Sequence, residues 1–338
     1  MKISKRKSEH IKTCLKENVS FKEKKTGFED YEFIHCALPE VDMEQIKTET
    51  EFLGKTLSFP FMISAMTGGC DKAFEINERL AEVCSIERIA MGVGSQRQMM
   101  ENERYLDTFR IVRERAPDGV IIGNIGAVEV LEISDVSVFQ KMVDLIEADA
   151  MAVHLNPLQE ILQPEGNCRF RGVLKAIERL VKGLSVPIIV KEVGCGISRS
   201  VAKRLVGIGV KYIDVAGAGG TSWAAIESYR GAYRRLAHTF WDWGIPTARS
   251  LEMVGRIKGV RVIASGGIKD GVVLAKAIAL GAEIGGAARK VLKVLLEDGE
   301  ESLVSLIRLW RTQLKVAMFL TGSSSLQDLR REGVIEKR

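Results

Sequence analysis

No stretch of this chain approaches the roughly 18 uncharged apolar residues that a membrane-spanning helix needs. None of its six cysteines (Cys14, Cys36, Cys70, Cys84, Cys168 and Cys195) stands in a C-x-x-C pair. Zinc and a redox dithiol are therefore unsupported, and the six are expected to be reduced thiols of a cytoplasmic protein. The first residues, "MKISKRKSEHIKTCLKENVSFKEKK", lack the apolar core of a signal peptide. A strong excess of one charge is missing too: 49 Lys and Arg face 44 Asp and Glu, a formal charge of +5. That demands no nucleic-acid partner, though it suits an anionic small substrate. There is no low-complexity linker and no early G-x-G-x-x-G dinucleotide fingerprint. With 46% hydrophobic residues, the 338-residue chain is expected to be a globular domain with extensions.

What is there is a rhythm. Eight short apolar runs each end in Gly or a small polar residue. They are "FPFMISAMTGG" (59–69), "RIAMGVGSQR" (88–97), "VIIGNIGA" (120–127), "ADAMAVHLN" (148–156), "VPIIVKEVG" (186–194), "VKYIDVAGAGG" (210–220), "VRVIASGG" (260–267) and "AEIGGAARK" (282–290). Continuous apolar runs of this length suit strands buried on both faces, as in a parallel sheet. Amphipathic segments such as "KAFEINERLAEVCSIE", "FRGVLKAIERLVKGL", "ISRSVAKRLVGIG" and "DGVVLAKAIALG" lie between them, with apolar residues at helical spacing. The pattern predicts an α/β fold, a (β/α)8 TIM barrel, over residues 56–296. A doubly wound sheet is the alternative, disfavoured by the eightfold count. Residues 1–55 are expected to form an arm with a helix and a small hairpin, or to stay mobile until ligand binds. Residues 297–338 are expected to form a helical extension in which "SLQDLRREGVIEKR" is a short terminal helix.

Active sites of such barrels lie where the strands end. The last three tails are glycine-rich: Gly217 to Thr221, Ser265-Gly266-Gly267 and Gly285 to Arg289. Loops there, with a helix N-terminus, are the usual phosphate site of this barrel. A single Gly-Gly would more often be only a turn; three in the right units point to phosphate. Ser95 and Asn124 stand where they could bond a flat heterocycle over the barrel mouth, beside the small residues of "AMTGG". Lys191 closes an apolar run, as a lysine paired with Glu192, a Schiff-base lysine, or a cation beside a flavin ring.

The fourth tail, "HLNPLQE", crowds an imidazole, two amides and a carboxylate into seven positions. A lone His154 would more often be structural, and a lone Glu160 solvated or capping. Together, His154 and Asn156 can donate to an oxyanion or a diphosphate. Gln159 reaches toward the reacting carbon, and Glu160 is a hard ligand suited to Mg²⁺. Arg6 and Lys7, in "KRKSEH", gain a role if this rim holds an anion, with Arg97 as a third cation.

"HLNPLQE", "AMTGG", "GVGSQR", "VKEVGCGIS", "DVAGAGGTSW", "ASGGIKDG" and "RKSEH" together resemble type 2 isopentenyl-diphosphate isomerase, from residue 6 to about residue 295. The resemblance implies an FMN-binding barrel that interconverts isopentenyl and dimethylallyl diphosphate. It further implies Mg²⁺, a reduced flavin with NADPH as reductant, and a homo-oligomer, tetramer or octamer. It assigns FMN to Ala65, Met66, Thr67, Ser95, Asn124, Lys191, Thr221, Gly266, Gly267, Ala287 and Ala288. Substrate falls to Arg6, Lys7, Ser95, Gln96, Arg97, His154, Asn156 and Gln159, catalysis to Gln159 and His154, and Mg²⁺ to Glu160. Ser222 departs from the family pattern, in which Asn is common. Rival flavin or nucleotide barrels fit less well. A hydroxy-acid oxidase would need a histidine where "ASGGIKDG" has none. An inosinate-dehydrogenase-type barrel would need a cysteine where "AGAGGTSW" has none.

Overall fold

The computed structural model describes residues 2–231 and 233–338. Eight parallel strands close into one barrel. They are β1 (Phe61–Ile63), β2 (Ala90–Gly92), β3 (Ile121–Gly126), β4 (Ala150–His154), β5 (Ile188–Lys191), β6 (Tyr212–Asp214), β7 (Arg261–Ser265) and β8 (Ile284–Ala287). Each lies inside one of the eight apolar runs. Alternation along the strands sorts their side chains into two clusters. Met62, Ile122, Ala152, Ile189, Tyr212, Ile263 and Ile284 fill the barrel interior. Phe61, Ile63, Met151, Val153, Val190 and Ile213 face the surrounding helices. Burial on both faces is why these runs show no polar alternation.

A hairpin plugs the bottom of the barrel. Thr50–Phe52 pairs with Lys55–Leu57 across Leu53 and Gly54, both at positive φ, as a two-residue hairpin turn requires. Phe52 and Leu57 join the interior cluster, and the Phe52 ring meets Tyr212 edge-on at 6.0 Å. Burying Phe52 alone is worth about 1.5–3 kcal/mol.

The four anticipated helical segments are helices Ala73–Glu87, Val173–Gly183, Arg199–Gly207 and Gly271–Ala279. Ser198 and Asp270 cap the last two through their side chains. A single long helix, Glu300–Leu320, packs between helices Gly271–Ala279 and Ala73–Glu87, and its Trp310 meets Phe61 at 5.3 Å. It occupies the eighth place in the outer ring.

The terminal segment departs from its expected helix. After a 3₁₀ turn at Asp328–Arg330 the chain extends, and Ile335–Lys337 pairs antiparallel with Tyr31–Phe33. Gly333, at φ 83°, breaks the helical course, and the β-branched Val334 and Ile335 suit a strand.

The arm begins with helix Lys2–Lys16 and is stitched to the C-terminal face of the barrel. Phe21 N donates to Gly220 O at 3.2 Å, and Ser222 N donates to Val19 O at 2.8 Å. Arg289, at the end of β8, donates to the carbonyls of Cys14 and Glu17, both at 2.9 Å, and to Ser20 Oγ at 3.0 Å. These carbonyls at the helix end lack helical partners, so the guanidinium acts as their cap.

Candidate active site

The rim after β6, β7 and β8 presents backbone. Gly266 and Gly267 take φ of 99° and 81°, a conformation that a side chain would strain. A Cβ on Gly220 would lie 2.5 Å from Gly267 N, so the two loops touch backbone to backbone. Helix Arg289–Asp298 starts after Ala288 with no side-chain cap. Its first N–H groups are thus left for a ligand, and its dipole favours an anion. Ser222 is a buried cap of the short helix Trp223–Ser228, donating to Trp241 O at 2.7 Å. Its departure from Asn is thereby absorbed by local structure.

The rim after β2 to β5 presents side chains. Asn124 Nδ2 donates to Val93 O at 3.1 Å, so its Oδ1 is what faces His154 Nδ1 at 2.9 Å. Nδ1 must therefore carry the proton. Burial, reinforced by Lys191, Arg6 and Lys7, pushes the imidazole down to about 3. His154 is neutral, with a lone pair on Nε2. This corrects the expected donor role: Nε2 can donate to a diphosphate only after taking up a proton.

Asn156 Nδ2 links the rest of the cluster, donating to Gln159 Oε1 at 3.1 Å and to Glu160 Oε1 at 2.9 Å. Glu160 Oε2 accepts from Asn167 N at 2.7 Å. The i, i+3 and i, i+4 spacing of helix Pro157–Leu162, with Asn156 at its cap, makes these contacts. Gln159 is buried and its amide orientation is fixed through Oε1, which leaves the Nε2 donors without a protein acceptor among the described residues.

The three expected cations differ. Lys7 Nζ donates to Ser95 O at 2.7 Å and to Gly68 O, tying the arm to the tails of β1 and β2. Burial lowers Lys7 to about 7. Arg97 is engaged by Glu129 at 2.6 Å and Glu101 at 3.1 Å. Arg6 makes no ion pair with any described residue. Gln96 is a correction. Its amide is fully buried, accepting from Asn124 N at 3.0 Å and donating to Met142 O at 3.0 Å, so both ends are consumed within the protein.

Two groups escaped the sequence reading. Glu129 holds Arg97, and Asp214 closes β6 next to Lys191. Asp214 carried the same signal as Lys191, a charge ending an apolar run. Glu129 carried none, because its role depends on a partner 32 positions away.

The residues fit FMN. The uncapped helix N-terminus and the Gly266–Gly267 backbone would take the phosphate. Ala65, Gly92, Gly123 and Ala152, with Lys191 and Asp214, line a small cavity that reaches down to Met62, Ile122, Ile189 and Ile263 in the barrel interior. Small residues at these strand ends keep bulk away from the mouth, and the buried Ser64 Oγ beside Gly286 has no hydrogen-bond partner among the described residues. Among the described residues, no group of three or more His, Cys, Asp or Glu could hold a metal alone. Glu160 is one carboxylate, so a divalent cation would share its coordination with a substrate's phosphates, as Mg²⁺ commonly does.

A (β/α)8 barrel with glycine-rich loops and an uncapped helix start after β6–β8 and a polar rim after β4 is suited to a phosphate-bearing flavin. The family model described as FMN-dependent dehydrogenase matches residues 1–104 and 154–336. Among curated relatives, the isopentenyl-diphosphate delta-isomerase of Pelodictyon phaeoclathratiforme is 44% identical and covers 99% of this chain and 98% of its own. That of Methanothermobacter thermautotrophicus is 46% identical over 98% and 93%. The chain belongs to the isopentenyl-diphosphate delta-isomerase family, in its FMN-dependent type 2 form. The flavin-binding domain of baker's yeast flavocytochrome b2 shares the fold, with a TM-score of 0.70 at 17% identity, covering 97% of this chain and 81% of that one. No helix of the described residues is long and apolar enough to cross a membrane.

Proposed function

We propose that the chain interconverts isopentenyl and dimethylallyl diphosphate with bound reduced FMN and Mg²⁺, and that NADPH serves only to reduce the flavin. The observation that carries this reading is the Asn156–Gln159–Glu160 cluster. It places a hard carboxylate and an unused amide donor side by side at the end of β4. The isomerisation adds a proton at C4 of the alkene and removes one from C2, so no electrons are transferred in the net reaction. Reduced FMN, when bound, supplies acid–base ring nitrogens and a flat face beside the alkene.

The chain's own residues do the rest. Glu160 would hold Mg²⁺ together with the substrate's diphosphate. Arg6, Lys7 and Arg97 bind the diphosphate, and charge-assisted contacts of this kind are the strong ones. His154 Nε2 takes up a proton as the anion arrives and then donates to it. Gln159 orients the alkene through its free Nε2. The tails Ala65-Met66-Thr67, Ser95 and Asn124 bound the flavin ring, and Thr221, Gly266, Gly267, Ala287 and Ala288 bound its phosphate. Helix Lys2–Lys16 lies over the site and excludes water. The protein works as a homo-oligomer in the cytoplasm.

The test is stoichiometry under anaerobic conditions. NADPH loss should stop at about one per flavin, dithionite should replace it for many turnovers, and deuterium from solvent should enter the product. NADPH loss that tracks product one to one would make the protein an oxidoreductase instead.

A further inference from the structure

Asp214 has no part in the reading above, yet it is a buried carboxyl near the barrel mouth, pushed up by burial and held down by Lys191 and by its hydrogen bonds to Ser265 and Ala216. It is 2% exposed and closes β6, in register with Lys191 on β5. Its Oδ1 is fully occupied, accepting from Ser265 Oγ at 2.7 Å and Ala216 N at 3.2 Å. Its Oδ2 stands 4.0 Å from Lys191 Nζ. Lys191 donates once, to Glu192 O at 2.6 Å, which leaves two of its three N–H donors. The two side chains lie at the upper end of the same small cavity, beside Ala65, Gly92, Gly123 and Ala152 and above the interior residues Met62, Ile122, Ile189 and Ile263.

The other charged groups around Lys191 do not balance it. Glu192 turns its carboxylate away, onto the N–H groups of Val193, Gly194 and Cys195. On β4, His154 is neutral, and the arm brings only the cations Arg6 and Lys7. Asp214 is therefore the one carboxylate among the described residues that faces the ammonium. A buried ammonium without a counter-ion loses its proton, and a buried carboxylate without one gains a proton. At 4.0 Å the pair compensates charge without a tight bond, so the lysine donors stay available.

We propose that Asp214 is a positioning residue that keeps Lys191 an ammonium and holds it facing the flavin site, so that the charge met by the flavin is set by the pair. The proposal rests on FMN binding as read above. The experiment measures the midpoint potential of bound FMN against pH, and FMN affinity by fluorescence, for wild type, Asp214→Asn, Lys191→Met and the double variant.

Wild type should show no lysine-dependent break. Asp214→Asn should gain one on the acid side of the ordinary lysine range, because burial disfavours an ammonium without a counter-ion. Above that break its potential should fall toward that of Lys191→Met. The fall corresponds to a roughly tenfold weaker preference for reduced flavin, about 30 mV for a two-electron couple. Asp214→Glu, which keeps the charge, should restore the wild-type profile. In the Lys191→Met background, Asp214→Asn should add no break, the signature of action through the lysine. A pH-independent offset, or an equal effect in both backgrounds, would reduce Asp214 to a structural residue and overturn the proposal. Should Asp214→Asn fail to fold, a lysine-dependent break in wild type itself, absent from Lys191→Met, would overturn it equally. A wild type that takes up no FMN would instead overturn the functional reading.

Discussion

The loops after β6, β7 and β8 present backbone: Gly266 and Gly267 at positive φ, and a helix start capped by no side chain. The loops after β2 to β5 offer side chains: His154 held by Asn124, Gln159 and Glu160 held by Asn156, Lys191 facing Asp214. The first half is stiffened by its own chain and by the arm, through the Val19 and Phe21 bonds and Arg289. The second half is stiffened by side-chain hydrogen bonds, each of which can be removed singly. Backbone recognition therefore fails through added volume, and side-chain recognition through lost charge or lost polarity.

The largest effect is expected where the side-chain half meets the arm. Replacing Arg6 and Lys7 together by Ala removes two charge-assisted contacts of about 1.5–3 kcal/mol each, so KM for the diphosphate should rise roughly 10²- to 10⁴-fold. Steady-state kinetics with an unchanged thermal melt would confirm it. Wild-type KM in the double variant would return the arm's start to a solvated tail.

The backbone half is broken by one methyl group. Gly220→Ala puts a Cβ 2.5 Å from Gly267 N, and neither main chain can yield cheaply. Overpacking of this kind costs about 1–3 kcal/mol, so FMN affinity should drop roughly 5- to 150-fold. Fluorescence titration reads this directly, and unaltered FMN binding would move the phosphate away from these loops.

Glu160→Gln should separate metal from flavin. The Mg²⁺ concentration for half-maximal activity should rise by at least the roughly 10- to 100-fold typical of losing an outer-shell partner, while FMN binding holds. An unshifted titration would place the metal elsewhere.

The smallest effect is one of pH. Burial sets Lys7 at about 7, and only its charged form attracts the diphosphate. As pH rises past that value the free enzyme loses this charge, so kcat/KM should fall, by up to roughly tenfold per unit, until the contact is gone. Lys7→Arg stays charged and should flatten that limb. A profile identical in both proteins would exclude Lys7 as its source.

The eight strands were legible because burial on both faces leaves long apolar runs, and the close approach of the β6 and β7 loops because glycine marks where backbone must come close. The β4 cluster was legible because its residues are local, within one turn of helix. Gln96 misled, since it sits in the same "GVGSQR" tail as Ser95 and Arg97, yet the turn into helix Arg97–Glu101 directs its amide into the protein. The terminal strand Ile335–Lys337 was hidden because its partner, Tyr31–Phe33, lies some 300 positions earlier.

The sequence by itself determined the barrel, its eight tails and the residue types they carry, because apolar periodicity, glycine and local spacing act over a few residues. The tertiary structure alone decided which of those groups are still available. It set His154 Nδ1 against Asn124 Oδ1, Arg97 between two carboxylates, and Lys191 Nζ 4.0 Å from the Asp214 carboxylate. Those are long-range facts. Burial and the nearest opposite charge set the state of an ionisable group, and both are supplied by segments that meet only when the barrel closes.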